Sequence, residues 1–541
     1  MLETKSNMRL KNIGKLLWLY TFLFPAVSNA QPSPVIQVNA GRATGKWIPL
    51  TNYYGYDEPN FTYTANGRKL IGELGALAPG PVYLRTHFLL ATGDGSSNFK
   101  WGSTNAYTEG SDRKPVYDWS TIDRIFETYL AAHAKPFVEI GFMPRALSTH
   151  PDPYVPKWAP GDKFDSYYVG WSYPPKDYSK WSELVYQWVR HCVTKYGAPE
   201  VASWYWEVWN EPDISYWHGT PEEYDQLYDA SVSAVKRALP SARVGGPAST
   251  GPASPKAAAF LRQFLEHCDR TGAALDFITF HAKGRPEVVD GHVRMGLVKN
   301  AQDVAAGLAI VAEFPKFKQR PIVLSESDPE GCAACSARVY PQNAYRNGPL
   351  YASYTAAMVK KVIELSAQYR THVEGMLTWA FLFENQPYFD GFRTLATNGI
   401  DKPVLNLFRM MGQLRGETLA VEGDALAVRS DRGVSVLAWN YNPDDVPGPA
   451  TAVTIAISGL PTAARILERH YRIDEHHSNA FGVWKEMGSP QNPDAAQYAR
   501  LEAAGQLELL ESPRWVSCPG GSVELNLNLP RQAVSLIELT W

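Results

Sequence analysis

Between Trp47 and Leu414 the chain switches eight times between two hydrophobic periods. Short runs rich in β-branched and aromatic residues are apolar at nearly every position: WIPLTNYY, VYLRTHF, FVEIGFM, SWYWEVW, RVGGPA, FITFHA, PIVLSE and GMLTWAF. Between them lie segments with apolar residues three and four apart, such as STIDRIFETYLAAHA, KWSELVYQWVRHCVTKY and EEYDQLYDASVSAVKRAL. A strand that is apolar on both faces needs cover on both sides, and helical segments follow these strands. Eight such alternations predict an α/β fold, a parallel (β/α)8 barrel over residues 31–415.

Beyond Leu414 the period changes to two. LAVRSD, GVSVLAWNY, AVTIAIS, RILERHYRI, SVELNLNL and AVSLIEL are separated by Gly, Pro and Asn, which predicts an antiparallel β-sandwich over residues 416–541. A strand near residues 34–40 is expected to join it. At the other end, Lys5, Arg9, Lys11 and Lys15 precede the apolar run Leu16 to Val27, and Ser28-Asn29-Ala30 offers small residues for cleavage. Residues 1–30 therefore read as a signal peptide, with a secreted or periplasmic protein and no membrane span after cleavage.

The formal net charge is −3, which leaves no electrostatic footprint for nucleic acid or an anionic membrane. Five cysteines at scattered spacing do not make a disulfide framework. Cys332-Ala-Ala-Cys335 lacks a second CxxC or a spaced His pair, so a local disulfide is expected and no metal or other cofactor. Nothing in the pattern bears on oligomeric state.

The chemistry is expected at the carboxyl ends of the strands, where barrel sites collect. WYWEVWNEPD ends strand four, and Pro212 stops regular structure just after Glu211. PIVLSESDPE ends strand seven at Glu326. Strands four and seven face each other across a closed barrel, so the two carboxylates can share one cleft. Glycoside hydrolysis needs such a pair, one acid for the leaving oxygen and one base or nucleophile. Glu207 shares parity with Glu211 but lies about 13 Å deeper, which makes it structural. Arg85 and His87 are same-face neighbours on strand two. His281 ends strand six, Trp379 ends strand eight, and Asp57 with Glu58 closes strand one. The ordinary alternatives are a structural ion pair for Arg85, a satisfied core histidine for His281, a turn residue for Asn210 and a helix-start signal for Asp57.

GYDEPNFTY, FVEIGFMP, EVWNEPD, DFITFHAKG and GIDKPVLN resemble stretches of glycoside hydrolase family 39, which includes β-xylosidases and α-L-iduronidases. The resemblance implies a retaining double displacement with Glu211 as acid/base and Glu326 as nucleophile. It implies that Asn210, Arg85, His87 and His281 serve the sugar or the nucleophile; from their places at strand ends, Trp379 is expected to floor the site, and Asp57 and Glu58 to be rim ligands. Phe383, Glu384, Tyr388 and Phe389 are expected to shape the pocket. Protonation of Glu211 before catalysis calls for a raised pKa. Where β-xylosidases have His-x-Tyr after strand six, this chain has His281-Ala282-Lys283-Gly284. A Lys there resembles the iduronidase pattern and favours a uronic carboxylate, unless Lys283 pairs with Glu326 or sits at the rim. Arg145 stands where relatives often carry Glu, as a second cation of the cleft or a solvated loop residue. The expected activity is an exo-acting β-xylosidase on xylo-oligosaccharides, with a uronidase or another glycosidase of the same family as the alternative.

Overall fold

The computed structural model describes residues 34–77, 80–155, 157–159, 169–381, 383–462 and 465–541. The N-terminal segment read as a signal peptide lies outside the described residues. Eight parallel strands close into a barrel in chain order. They are β1 (Tyr53–Tyr56), β2 (Val82–Thr86), β3 (Ala134–Ile140), β4 (Tyr205–Val208), β5 (Arg243–Ser249), β6 (Phe277–His281), β7 (Pro321–Glu326) and β8 (His372–Trp379). Every residue of β1, β2, β4 and β6 is buried, as their unbroken apolar runs require. The first strand starts six residues later than its apolar run. Pro49 has no N–H to give a neighbour, and Leu50 donates back to Ile48 at 2.8 Å in a turn.

The barrel interior is layered by the two-residue side-chain period. An aromatic layer at the bottom includes Tyr53, Tyr83, Phe137, Tyr205 and Phe277. Tyr53 stacks on Tyr83 with centroids 5.1 Å apart, and Phe137 on Tyr205 at 4.8 Å. Two residues further along β2, β3 and β4 the inward positions are Arg85, Glu139 and Glu207. A buried aromatic plug thus underlies a charged layer. Gly55 is required on β1 by close approach: a Cβ there would lie 2.7 Å from Leu377 Cδ2 and 2.8 Å from the Trp379 ring. Its hydrogen leaves room for the Trp379 indole.

The second sheet has nine strands. Val35–Lys46 lies in it, antiparallel to Glu417–Glu422 and parallel to Thr451–Ser458. The other pairings are antiparallel. The register of the N-terminal strand against Glu417–Glu422 is irregular between Asn39 and Gly45. The sandwich core holds Ile36, Val38, Ile455, Leu525 and Ile537. Leu426, Val428, Leu437 and Leu536 alternate along their strands with Ala427, Val436 and Ile537 of that core, and belong instead to the barrel's core. Two helices absent from the sequence reading, Ala480–Glu486 and Ala495–Ala504, are inserted between Arg465–Ile473 and Arg514–Ser517. Among the described residues no helix is long and apolar enough to cross a membrane.

Candidate active site

The end of β4 leaves the strand through two left-handed residues. Trp209 has φ 70° and Glu211 φ 45°, a conformation that costs a side-chain-bearing residue about 1–3 kcal/mol. The Glu211 N–H donates to Ala248 O at 2.9 Å, which holds the turn and aims the carboxylate at the barrel axis. β7 delivers Glu326 without such strain: its carbonyl accepts from Ala282 at 2.9 Å, and Ser327 donates to Leu377 at 2.7 Å. One oxygen from each carboxylate and a ring nitrogen of His281 all lie within 4.8 Å of one another. Two carboxylates this close can act on the same bond.

A network of buried charge surrounds the pair. Arg85 donates from Nε to Glu207 at 2.5 Å and from Nη2 to Asn210 Oδ1 at 2.9 Å, and its Nη1 lies 3.4 Å from Glu326. Glu139 is 3.1 Å from the same guanidinium. Glu207 therefore acts through Arg85, in keeping with its depth. His87 lies between Asp57, 2.6 Å from Nδ1, and Glu139, 2.9 Å from Nε2. Burial disfavours the imidazolium, but these carboxylates prevail over Arg85 and raise His87 to about 9. His281 meets Glu211 through Nδ1 at 2.7 Å.

Asp57 lines the cleft from a buried position. It is 5% exposed and gathers His87, the Trp379 Nε1–H at 3.2 Å and the Lys100 ammonium. Burial works against its ionisation, and Lys100 and His87 overcome it to hold the carboxyl low. Neighbouring Glu58 has weaker partners: burial raises it to about 8, with Lys100 opposing and Asp57 adding to the rise. Asp57 turns inward because it continues the Tyr53, Gly55 side of β1.

Lys283 settles into one of the places the sequence left open. Its ammonium pairs directly with Glu326 and lies 3.7 Å from Glu211, so it sits against both carboxylates. This reverses the expectation for Glu211. Burial pushes its pKa up, but Lys283 and His281 outweigh burial and the like charge of Glu326, and the carboxyl is held below its ordinary value. Glu326 is lowered further. Burial opposes ionisation there too, and His281, Lys283, Arg85 and His87 all favour it. The two carboxylates share one cation, which favours the ionised form of each.

These side chains line a cleft of about 840 Å³ that contains Asp57, His87, Asn210, Glu211, His281, Lys283, Glu326 and Trp379 together. Trp379 is 1% exposed and meets His87 edge-on at 5.1 Å. Arg145 is solvated and pairs with Asp152 on the loop surface. Phe383 is buried against Phe392, while Glu384, Tyr388 and Phe389 line a different cleft of about 1050 Å³. The strand-eight loop carries them past the rim toward the helices inserted in the second sheet. The sequence reading missed Glu139, Lys100, Trp101, Trp158 and Arg393, of which the last four also line the catalytic cleft. Glu139 carried a signal, a lone charge inside the apolar run FVEIGFM. The others come from loops that carried none.

The family model of glycosyl hydrolases family 39 matches residues 83–520. A β-xylosidase of Geobacillus stearothermophilus is 28% identical over 446 residues, 79% of this chain and 81% of its own length. A human α-L-iduronidase is 28% identical over 383 residues, 60% of this chain and 55% of its own. The crystal structure of a monomeric β-xylosidase from Caulobacter crescentus superposes with a TM-score of 0.76 at 24% identity, over 94% of this chain and 99% of that one. Those shares, and a carboxylate pair at the ends of β4 and β7, make one conclusion: this chain belongs to glycosyl hydrolases family 39 and is a glycoside hydrolase.

Proposed function

We propose that the enzyme is a retaining, exo-acting β-xylosidase that releases xylose from xylo-oligosaccharides. The observation that carries the mechanism is the approach of Glu211 and Glu326 within 4.8 Å. Glu326, held ionised by Arg85 and Lys283, attacks the anomeric carbon. Glu211 protonates the leaving oxygen, then deprotonates the water that releases the sugar. Asn210, fixed by Arg85, faces the hydroxyl beside the anomeric carbon. A sugar entering the cleft separates Lys283 from the carboxylates, and its desolvating bulk then favours protonation of Glu211. The β-xylosidase assignment is supported by the relatives of that name, which align over 81–83% of their own lengths, against 55–62% for the mammalian iduronidases.

A uronidase is the second reading, and Lys283 favours it. A uronic carboxylate at the sugar's C5 position would draw the ammonium from Glu326 by direct charge pairing. A screen of aryl xylosides, arabinosides, galactosides and uronides separates the two. Hydrolysis confined to uronides overturns the xylosidase assignment. Retention is read by proton NMR of the first-formed anomer, and an inverted product overturns double displacement.

Lys283→Met is expected to move both limbs of the pH profile of kcat/KM to higher pH. Each limb reports a carboxyl group of the free enzyme, and both lose the cation that holds them low. Unshifted limbs would show that the ammonium leaves the pair before substrate arrives.

Export to the periplasm or medium is part of the same proposal, supported by the basic and apolar N-terminal sequence. N-terminal sequencing of the fractionated protein is expected to begin after Ala30. Cytoplasmic protein that retains Met1 overturns it.

A further inference from the structure

The wall of the cleft that follows β7 contains a covalent ring. Cys332 and Cys335 form a disulfide with Cα atoms 5.5 Å apart. Residues 331 to 336 line the same cleft as Glu211 and Glu326. The ring is organised around one buried side chain. Arg346 donates from Nη1 to the carbonyls of Ala333 at 3.3 Å and Cys335 at 3.1 Å, and from Nη2 to that of Cys332 at 2.8 Å. The same guanidinium is 2.8 Å from Glu330, four residues beyond Glu326. Asn343 Nδ2 donates a further bond to Cys335 O at 2.8 Å.

The ring also meets the sugar site directly. Ala333 packs on the hydrophobic cluster that contains Trp379, and its carbonyl accepts from the Arg393 N–H at 3.0 Å. A Cβ built on Gly331 would lie 3.9 Å from Lys283 Cδ, in ordinary contact. Three carbonyls can converge on one guanidinium only while the backbone between them keeps a tight bend. The disulfide closes that bend. Without it, carbonyl groups free to turn to water lose their shared donor, and the wall beside Trp379 and Lys283 loosens.

We propose that the Cys332–Cys335 disulfide is a positioning element of the sugar site, so that its thiol–disulfide state sets substrate affinity. Both cysteines are half-buried and face the open cleft, within reach of a small dithiol such as dithiothreitol. Its thiolate attacks one ring sulfur, the S–S bond breaks and a mixed disulfide forms. Its second thiol then closes the reagent's own disulfide. The protein gains two electrons and two protons as two thiols, and the reagent is oxidised by the same amount. Cys192, Cys268 and Cys518 are buried and unbridged, so reduction acts on this bond among the described residues.

The test measures KM and kcat on whichever aryl glycoside the enzyme hydrolyses fastest, so its outcome does not depend on the sugar proposed above. The oxidised enzyme is compared with the dithiothreitol-reduced enzyme, with the same sample reoxidised by oxidised glutathione, and with a Cys332→Ser, Cys335→Ser double variant. Mass spectrometry after iodoacetamide treatment reports the two free thiols. KM is expected to rise about 5–10-fold on reduction and in the double variant with kcat within about 2-fold, the signature of lost substrate binding. Reoxidation restores the wild type alone. The thermal midpoint moves little, because so short a ring constrains few residues of the unfolded chain. An unchanged KM with the thiols shown to be free overturns the proposal. A KM rise that tracks an equal loss of thermal stability overturns it as well, since the ring would then only hold the fold.

Discussion

Glu326→Ala is expected to lower kcat/KM for an activated aryl glycoside by about 10⁴-fold or more, the loss that follows removal of a group acting only in the chemical step. The carboxylate has no substitute in the site. His281, 3.8 Å from Glu326, and Glu211 are near it, but in the proposed mechanism Glu211 serves the leaving oxygen. Azide fills the vacated space as a small anion beside Lys283 and Arg85. It is expected to restore turnover with a glycosyl azide of inverted configuration, because it attacks the substrate directly. Glu211→Ala fails differently. Substrates with good leaving groups still glycosylate Glu326, and azide then attacks the glycosyl-enzyme to give the retained azide. NMR of the two azide products checks both. If either variant turns over at the wild-type rate, or if the two configurations are exchanged, the role assignment fails.

Arg85→Met carries the second large effect, on stability and on activity together. Arg85 is fully buried and faces Glu207, Glu139 and Glu326. A methionine fills most of the volume but leaves three buried carboxylates without their shared cation. Removing one partner of a buried ion pair costs about 3–5 kcal/mol. Part of that is recovered when a carboxyl protonates. Glu326 is one of the three and must stay ionised to attack in the proposed mechanism, so kcat is expected to fall with the unfolding midpoint. Asn210 also loses its donor. The check is a denaturant melt beside steady-state kinetics. A stable Arg85→Met enzyme with normal kcat would show that the charged layer supports neither the barrel nor the nucleophile. Arg85→Lys cannot stand in, because an ammonium cannot contact three carboxylates and Asn210 from one planar fork.

The barrel was legible in the sequence because burial on both faces leaves a local mark, an unbroken apolar run followed by a helical period. The same rule located Glu211 and Glu326. A charge that ends an apolar run, next to a proline or a polar turn, has few places to be other than the mouth of the barrel. Glu207 was separable from Glu211 by parity and rise alone. Side-chain direction further along each loop was not legible. Asp57 looked like a rim residue, yet the inward phase of β1 carries it to a buried position in the cleft. Phe383, Glu384, Tyr388 and Phe389 looked like pocket residues, yet their loop runs on toward helices that no period in the sequence announced.

What the sequence by itself determined is what repeats or is local: eight alternations, a shift to period two, a carboxylate at each of two strand ends, and a CxxC pair. What only the tertiary structure decided is which charges meet. Lys283 is forty-three residues from Glu326 and seventy-two from Glu211, and Lys100 is forty-three from Asp57. Their contacts depend on loop paths whose ends are set by the barrel but whose courses are set by packing. Those contacts invert the pKa direction expected for Glu211, since Lys283 at 3.7 Å and His281 at 2.7 Å together outweigh burial. Electrostatic energy depends on distance through space, and distance along the chain does not report it.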